Sequence, residues 1–233
     1  MKAEHLKKLQ ETIHIEFKDI NFLKTAAVHR SYLNEHTEFE LDHNERMEFL
    51  GDAVLELIVT EYLYANFPNP EGELTNWRAS LVNAKMLAEV GHTIDLEDCL
   101  YLSKGEAKDK GSKARQYILA NAVEALIGAI HLDQGYEKAG QFVHEFMISR
   151  LPHILENKLY LDPKSRFQEE SQARVNHTPT YRVVRESGPD HKKHFVIGVY
   201  LGDELVCEGE GTSKQEAQTD AAEKAIQTKG WVS

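Results

Sequence analysis

Apolar residues recur at spacings of three and four from the N-terminus to about residue 155. From Asp162 onward short runs alternate in twos instead. The two periods belong to different folds: the first packs one stripe of a helix, the second one face of a strand. Residues 1–155 therefore predict an all-α domain. Its breaks fall at Phe67-Pro68-Asn69-Pro70-Glu71-Gly72, at Gly91-His92 and in the polar stretch Ser103 to Lys113, which implies a bundle of seven or more helices. Periodicity fades after Pro152, and residues 156–161 read as a linker. Residues 162–231 then predict a small α+β domain of order α-β-β-β-α. It opens with a helix over Pro163 to Val175 and a strand from Thr180. Strands over His194 to Leu201 and Glu204 to Gly211 follow, hinged at Gly202-Asp203. Ser213 caps a last helix, Lys214 to Lys229, with Glu216 at the capping-box position.

A chain of 233 residues, 41% hydrophobic, has material for one core in each domain. The first twenty residues carry no apolar run of signal-peptide length. The longest apolar stretch, Tyr117 to Leu132, is too short to span a bilayer and contains Asn121 and Glu124. The expectation is a cytoplasmic protein with no membrane association. Two cysteines, Cys99 and Cys207, make neither a disulfide framework nor a zinc site and read as free thiols in different domains. The net charge of −11 weighs weakly against a nucleic-acid partner, because binding depends on where charge sits. Residues 1–160 hold 17 Lys+Arg against 26 Asp+Glu, or −9, and the remainder 10 against 12, or −2. An acidic first domain either repels RNA or holds cations.

The run Asn44-Glu45-Arg46-Met47-Glu48-Phe49-Leu50-Gly51-Asp52-Ala53-Val54-Leu55-Glu56 puts Glu45, Glu48 and Asp52 at i, i+3 and i+7, one stripe of a helix. Met47, Leu50, Val54 and Leu57 fall on the opposite side, expected to face the core. Clustered carboxylates repel unless a cation joins them, and an all-oxygen donor set suits Mg²⁺. A second stretch, Ile118 to Ile130, is apolar except for Asn121 and Glu124, again at i and i+3. A Glu in such a helix needs a partner. Spacing alone favours a solvated face for the first stretch and leaves the second open between a metal site and a buried hydrogen bond.

Asn44 to Leu55 resembles the signature of ribonuclease III, NERLEFLGDAVL, with Met47 in place of the usual Leu. Ala27-Val28-His29-Arg30-Ser31-Tyr32, Leu74 to Val82 and Ile118 to Asp133 resemble the flanking segments of that family. The resemblance implies a dimeric endonuclease that cuts double-stranded RNA with Mg²⁺, or Mn²⁺ in its place. The products would carry 5′-phosphate and 3′-hydroxyl ends, and the substrates would be rRNA precursors and some mRNA and tRNA transcripts. By position it implies Asp52 and Glu124 as catalytic carboxylates, and Glu48, Asn121, Glu124 and Asp52 around the metal. Glu45 and Glu71 become further acidic site positions, and Phe49 an apolar knob at the homodimer interface. Asn121 stands where the family has Asp, which removes a charge and keeps a carbonyl oxygen.

The second domain resembles a double-stranded RNA-binding domain. The strings that carry this are Asp162 to Glu169, Gly188-Pro189-Asp190-His191 and Gly209 to Ala217. Such domains read duplex shape through two minor grooves and the phosphates between. The resemblance implies RNA contacts from Gln168 and Glu169, from His191, Lys192 and Lys193, and from Lys214, which meets phosphate at a helix N-terminus. Gln215 and Gln218 occupy positions that are often basic. On composition alone Lys192-Lys193 is an ordinary solvated turn, and no GxxxxGK[ST] loop is present. A binder that does not cut is the rival reading, and its support is Asn121.

Overall fold

The computed structural model describes residues 2–189 and 192–231. The chain divides into two compact units, Met1–Pro152 and His153–Ser233. The first is helical: α1 (Lys2–Thr12), α2 (Ile20–Ala26), α3 (Arg30–Glu35), α4 (Glu45–Asn66), α5 (Glu71–Val82), α6 (Ala84–Thr93), α7 (Leu96–Cys99), α8 (Lys104–Lys108), α9 (Lys113–Gln134) and α10 (Tyr136–Phe146). A 3₁₀ turn (Ile148–Arg150) leads into α11 (Leu151–Glu156), which runs across the division between the units.

The two 22-residue helices, α4 and α9, make the core of the first unit. Helix α9 is apolar nearly all round, so it is enclosed rather than laid on a surface: Leu119, Val123, Leu126, Ile127 and Ile130 are fully buried. Leu55, Val59 and Leu63 supply the buried face of α4. The helices meet backbone to backbone, because the residues at the crossing have no side chain. A Cβ on Gly51 would collide with the Glu124 carbonyl, and one on Gly128 with the Met47 carbonyl.

The structure departs from the sequence reading at three places here. Gly91-His92 does not break the chain, since α6 runs on to Thr93. Gly91 is there for closeness, as a Cβ would lie 2.7 Å from the Leu119 Cγ. The polar stretch after Ser103 contains α8, whose first turn is capped by the Ser103 hydroxyl accepting from the Glu106 N–H. Leu57 does not face the core. It is exposed, with Phe49 and Tyr64, on an outward apolar strip of α4.

The second unit holds α12 (Pro163–Val175), the antiparallel sheet β1 (Thr180–Ser187), β2 (His194–Leu201) and β3 (Glu204–Gly211) in spatial order β1-β2-β3, and α13 (Lys214–Thr228). Asp162 caps α12 by accepting from the N–H groups of Lys164 and Ser165. Ser213 caps α13 by accepting from the Glu216 N–H. The Glu216 carboxylate reaches one residue further back than a capping box requires, to Thr212. Ala217, Ala221, Ala222 and Ala225 let α13 lie flat on the sheet, over Gly209 and Gly211 of β3. Phe167 stacks on Trp231 at 5.4 Å to close this core. Cys99 and Cys207 are unbonded thiols in different units.

The crossing predicts a pair of contrasting variants. Gly51→Ala should destabilise the first unit by about 2 kcal/mol or more, because the obstacle is backbone and cannot turn aside. Gly72→Ala on α5, where a Cβ meets nothing within 4 Å, should be neutral or stabilise by roughly 0.5 kcal/mol. Denaturant melts of the two variants measure the difference.

Candidate active site

The glycine crossing sets one turn of α4 against one turn of α9. Glu48 and Asp52 flank Gly51, and the backbone that Gly51 meets is that of Glu124, one turn from Asn121. Four of the residues singled out by sequence are thereby brought together. Asn44 fixes the start of α4: it is buried, its amide donates to the Ala26 carbonyl at 3.1 Å, and its N–H donates to the Val28 carbonyl at 2.9 Å.

The electrostatics couple the carboxylates across the crossing. Glu124 is half-buried, and burial, then the charges of Asp52, Glu48 and Glu56, push its carboxyl up to about 7. Glu48 is raised by burial and by Glu45 and Asp52, while the facing Asn121 side chain opposes the shift. Burial without a cationic neighbour disfavours the charged form of each. Among the described residues no three of His, Cys, Asp and Glu are arranged so that they alone could hold a metal ion. The donor set is open and all-oxygen: three carboxylates and one amide carbonyl. Its crowding fits a hard divalent cation that keeps part of its shell as water or substrate oxygen.

Glu45 sits at the rim of this cluster, ion-paired to Arg30 at 3.3 Å. Glu71 stands elsewhere. It begins α5, accepts from the Thr75 hydroxyl at 3.1 Å, and lines a separate cleft of about 670 Å³ with Leu63, Tyr64, Phe67, Pro68 and Leu74. Phe49, between Glu48 and Gly51, is 81% exposed. Sequence reasoning did not single out Glu56 and Arg78. Arg78 on α5 holds the Glu56 carboxylate at 2.9 Å and the Thr60 hydroxyl at 3.0 Å, so it fixes the acid one turn beyond Asp52. The i+4 spacing of Glu56 from Asp52 was the available signal.

In the second unit Gln168 and Glu169 lie on the exposed face of α12, and Lys214 is exposed at the first turn of α13, with its Nζ 5.8 Å from the centre of the Phe195 ring. Lys192 is exposed, while Lys193 pairs with Glu186 at 2.9 Å. His191 lies outside the described residues. Lys164, missed by sequence reasoning, donates to the Gln218 amide oxygen at 2.7 Å, and its Nζ lies 5.4 Å from the Tyr181 ring centre.

Comparison with known proteins agrees with this division. Residues 19–151 match the family model Ribonuclease-III-like, and residues 163–229 match the double-stranded RNA binding motif. Ribonuclease 3 of Chloroflexus aurantiacus is 43% identical over 227 residues, 96% of this chain and 91% of that protein. Ribonuclease 3 of Natranaerobius thermophilus is 44% identical over 220 residues, 94% of each. The nuclease domain of ribonuclease III from Campylobacter jejuni, a structure concerned with flexibility in its dimer-forming region, superposes with a TM-score of 0.56. It is 40% identical and covers 63% of this chain and 99% of that one. Among the described residues no helix is long and apolar enough to cross a membrane. By its two matched domains and its relatives, this chain belongs to the ribonuclease III family of endoribonucleases.

Proposed function

We propose that the cluster at the α4–α9 crossing hydrolyses phosphodiester bonds of double-stranded RNA with the help of a divalent cation, Mg²⁺ or Mn²⁺, leaving 5′-phosphate and 3′-hydroxyl ends. The observation that carries this is the convergence of Glu48, Asp52, Asn121 and Glu124 on two helices locked by Gly51 and Gly128. These four side chains would hold the cation. The chemistry a bound divalent cation supplies is an activated water and a stabilised charge on the attacked phosphate. With burial pushing its carboxyl up to about 7, Glu124 would hold its proton more firmly when the site is bare, and a cation would favour the charged form. Gln168, Glu169, His191, Lys192, Lys193 and Lys214 would hold the duplex, the acids and amides toward sugar hydroxyls and the lysines toward phosphate. The substrates by this reading are rRNA precursors and some mRNA and tRNA transcripts, and the compartment is the cytoplasm.

A homodimer completes the proposal. Phe49 is exposed to 81% beside Leu57 and Tyr64, and the same unit carries an apolar cleft walled by Leu63, Phe67 and Leu74. A two-fold axis would seat each Phe49 against the partner and bury the same strip twice. Glu71, at that cleft, would then serve the site from across the interface.

The direct test is incubation with a long RNA duplex, with and without Mg²⁺, beside duplex DNA of the same sequence. Cleavage confined to RNA and to the Mg²⁺ arm is expected, and equal cutting of DNA would refute the substrate assignment. Glu124→Ala should retain duplex binding and lose cleavage by at least about a hundredfold at saturating Mg²⁺. Asn121→Asp restores a full charge to the donor set. It should lower the Mg²⁺ concentration for half-maximal cleavage roughly tenfold, the equivalent of about 1.4 kcal/mol. Titration of both forms at fixed RNA decides it, and superimposable curves would mean the amide is no handicap. For the interface, sedimentation of the full chain should show a dimer whose Kd rises at least about thirtyfold in Phe49→Asp.

A further inference from the structure

The first unit contains a second cavity, of about 360 Å³, walled by α7, the start of α9, Tyr32 of α3 and the loop that carries α8. Three cations line it, Lys2, Lys110 and Arg115, against two acids, Glu97 and Asp98. Their partners leave positive charge unanswered. The Arg115 side chain is 7% exposed. Its Nε donates to the Glu97 carboxylate at 2.8 Å, but its Nη1 is buried with no hydrogen-bond partner among the described residues. Glu97 is shared as well, since its other oxygen lies 3.3 Å from His92. The Lys2 ammonium donates to two backbone carbonyls, of Asp98 at 2.7 Å and Leu100 at 2.6 Å, neither of which neutralises it. Burial lowers its pKa and the Arg115 charge adds to this, while Asp98 opposes the shift without overcoming it.

A buried guanidinium N–H without an acceptor loses the full desolvation energy of that group, and native structures rarely leave one so. The missing partner here is an acceptor, and the surrounding charge asks for an anion. A guanidinium fork flanked by ammonium groups matches phosphate oxygens. The cavity exceeds what a bare phosphate needs and has Tyr32 and Tyr101 in its wall, so it has room for an attached organic group.

We propose that this cavity binds the phosphate group of a small phosphomonoester, of the class of nucleoside 5′-monophosphates, through Arg115, Lys2 and Lys110. None of these residues belongs to the carboxylate cluster, and the proposal stands independently of the catalytic reading.

The test is calorimetric titration of the full chain with inorganic phosphate and with a nucleoside 5′-monophosphate, in buffer free of divalent cations so that the carboxylate cluster takes no part. One saturable site is expected, with the nucleotide tighter than phosphate. Lys110→Glu, at an exposed position, should weaken both at least about tenfold without changing the melting temperature. Arg115→Lys keeps a charge opposite Glu97 but lacks the fork, and should weaken binding while circular dichroism confirms the fold. Absence of saturable binding, or binding indifferent to Lys110→Glu, overturns the site. A short RNA duplex added to the phosphate-loaded protein separates the sources. Retained phosphate supports a free small ligand, whereas displacement lost in Lys110→Glu overturns that assignment and gives the cavity to the RNA backbone.

Discussion

The contact between Gly51 and the Glu124 backbone is the constraint on which the first unit turns. Two helices ordinarily pack 8–10 Å apart because side chains keep them there. With hydrogen atoms in place of side chains at Gly51 and Gly128, the α4 and α9 backbones meet, and everything one turn away is drawn in with them. Glu48 and Asp52 on one side and Asn121 and Glu124 on the other have no freedom to separate. Burial first, and then their repulsion, raises the carboxyls of Glu124 and Glu48. The packing of α9, nearly continuous burial from Leu119 to Ile130, supplies the stability that offsets this repulsion.

Helix α4 presents three distinct faces, and its length makes this possible. One face is core, through Leu55, Val59 and Leu63. A second carries Glu45, Glu48, Asp52 and Glu56. A third, Phe49, Leu57 and Tyr64, is apolar and open to solvent. Two of the three faces are apolar, so the helix as a whole shows weak segregation of polar and apolar sides. The third face is the one on which the proposed homodimer rests, since exposed apolar surface costs least when a contact covers it.

Legibility in the sequence followed the range of the interaction that decides each feature. Strand limits His194–Leu201 and Glu204–Gly211, the α12 limits and the Ser213 cap were all readable, because alternation, Gly-Asp turns and caps act within a few residues. Gly91 was misread as a break because its reason is Leu119, 28 positions away. Leu57 was placed in the core because a helical wheel cannot tell an inward apolar face from an outward one. The four residues at the crossing were identified from spacing and family resemblance together. That they meet depends on the two glycines, which spacing alone does not weigh. The Arg78–Glu56 pair and the Arg115–Glu97 pair join distant helices, and nothing in the local pattern announces them.

The overall charge of −11 looked unfavourable for an RNA partner, and the second unit shows why the sum misleads. Many of its cations are spent on carboxylates: Lys158 and Arg174 on Glu170, Lys193 on Glu186, Lys224 on Asp220, Lys229 on Glu204. Lys164 and Lys214 are placed differently. One is held by an amide oxygen and lies near a tyrosine ring, the other lies near a phenylalanine ring. Such partners orient an ammonium without cancelling its charge. Both lysines also stand in the first turns of α12 and α13, where the helix dipoles already favour an anion. Lys164 and Lys214 feel the charges of Asp162 and Glu186 without a contact ion pair among the described residues, whereas the paired lysines would have to give up a carboxylate before meeting a phosphate. On the proposed reading, duplex phosphates would meet these two lysines at the least cost in broken ion pairs, which is why a net charge says little about where a nucleic acid binds.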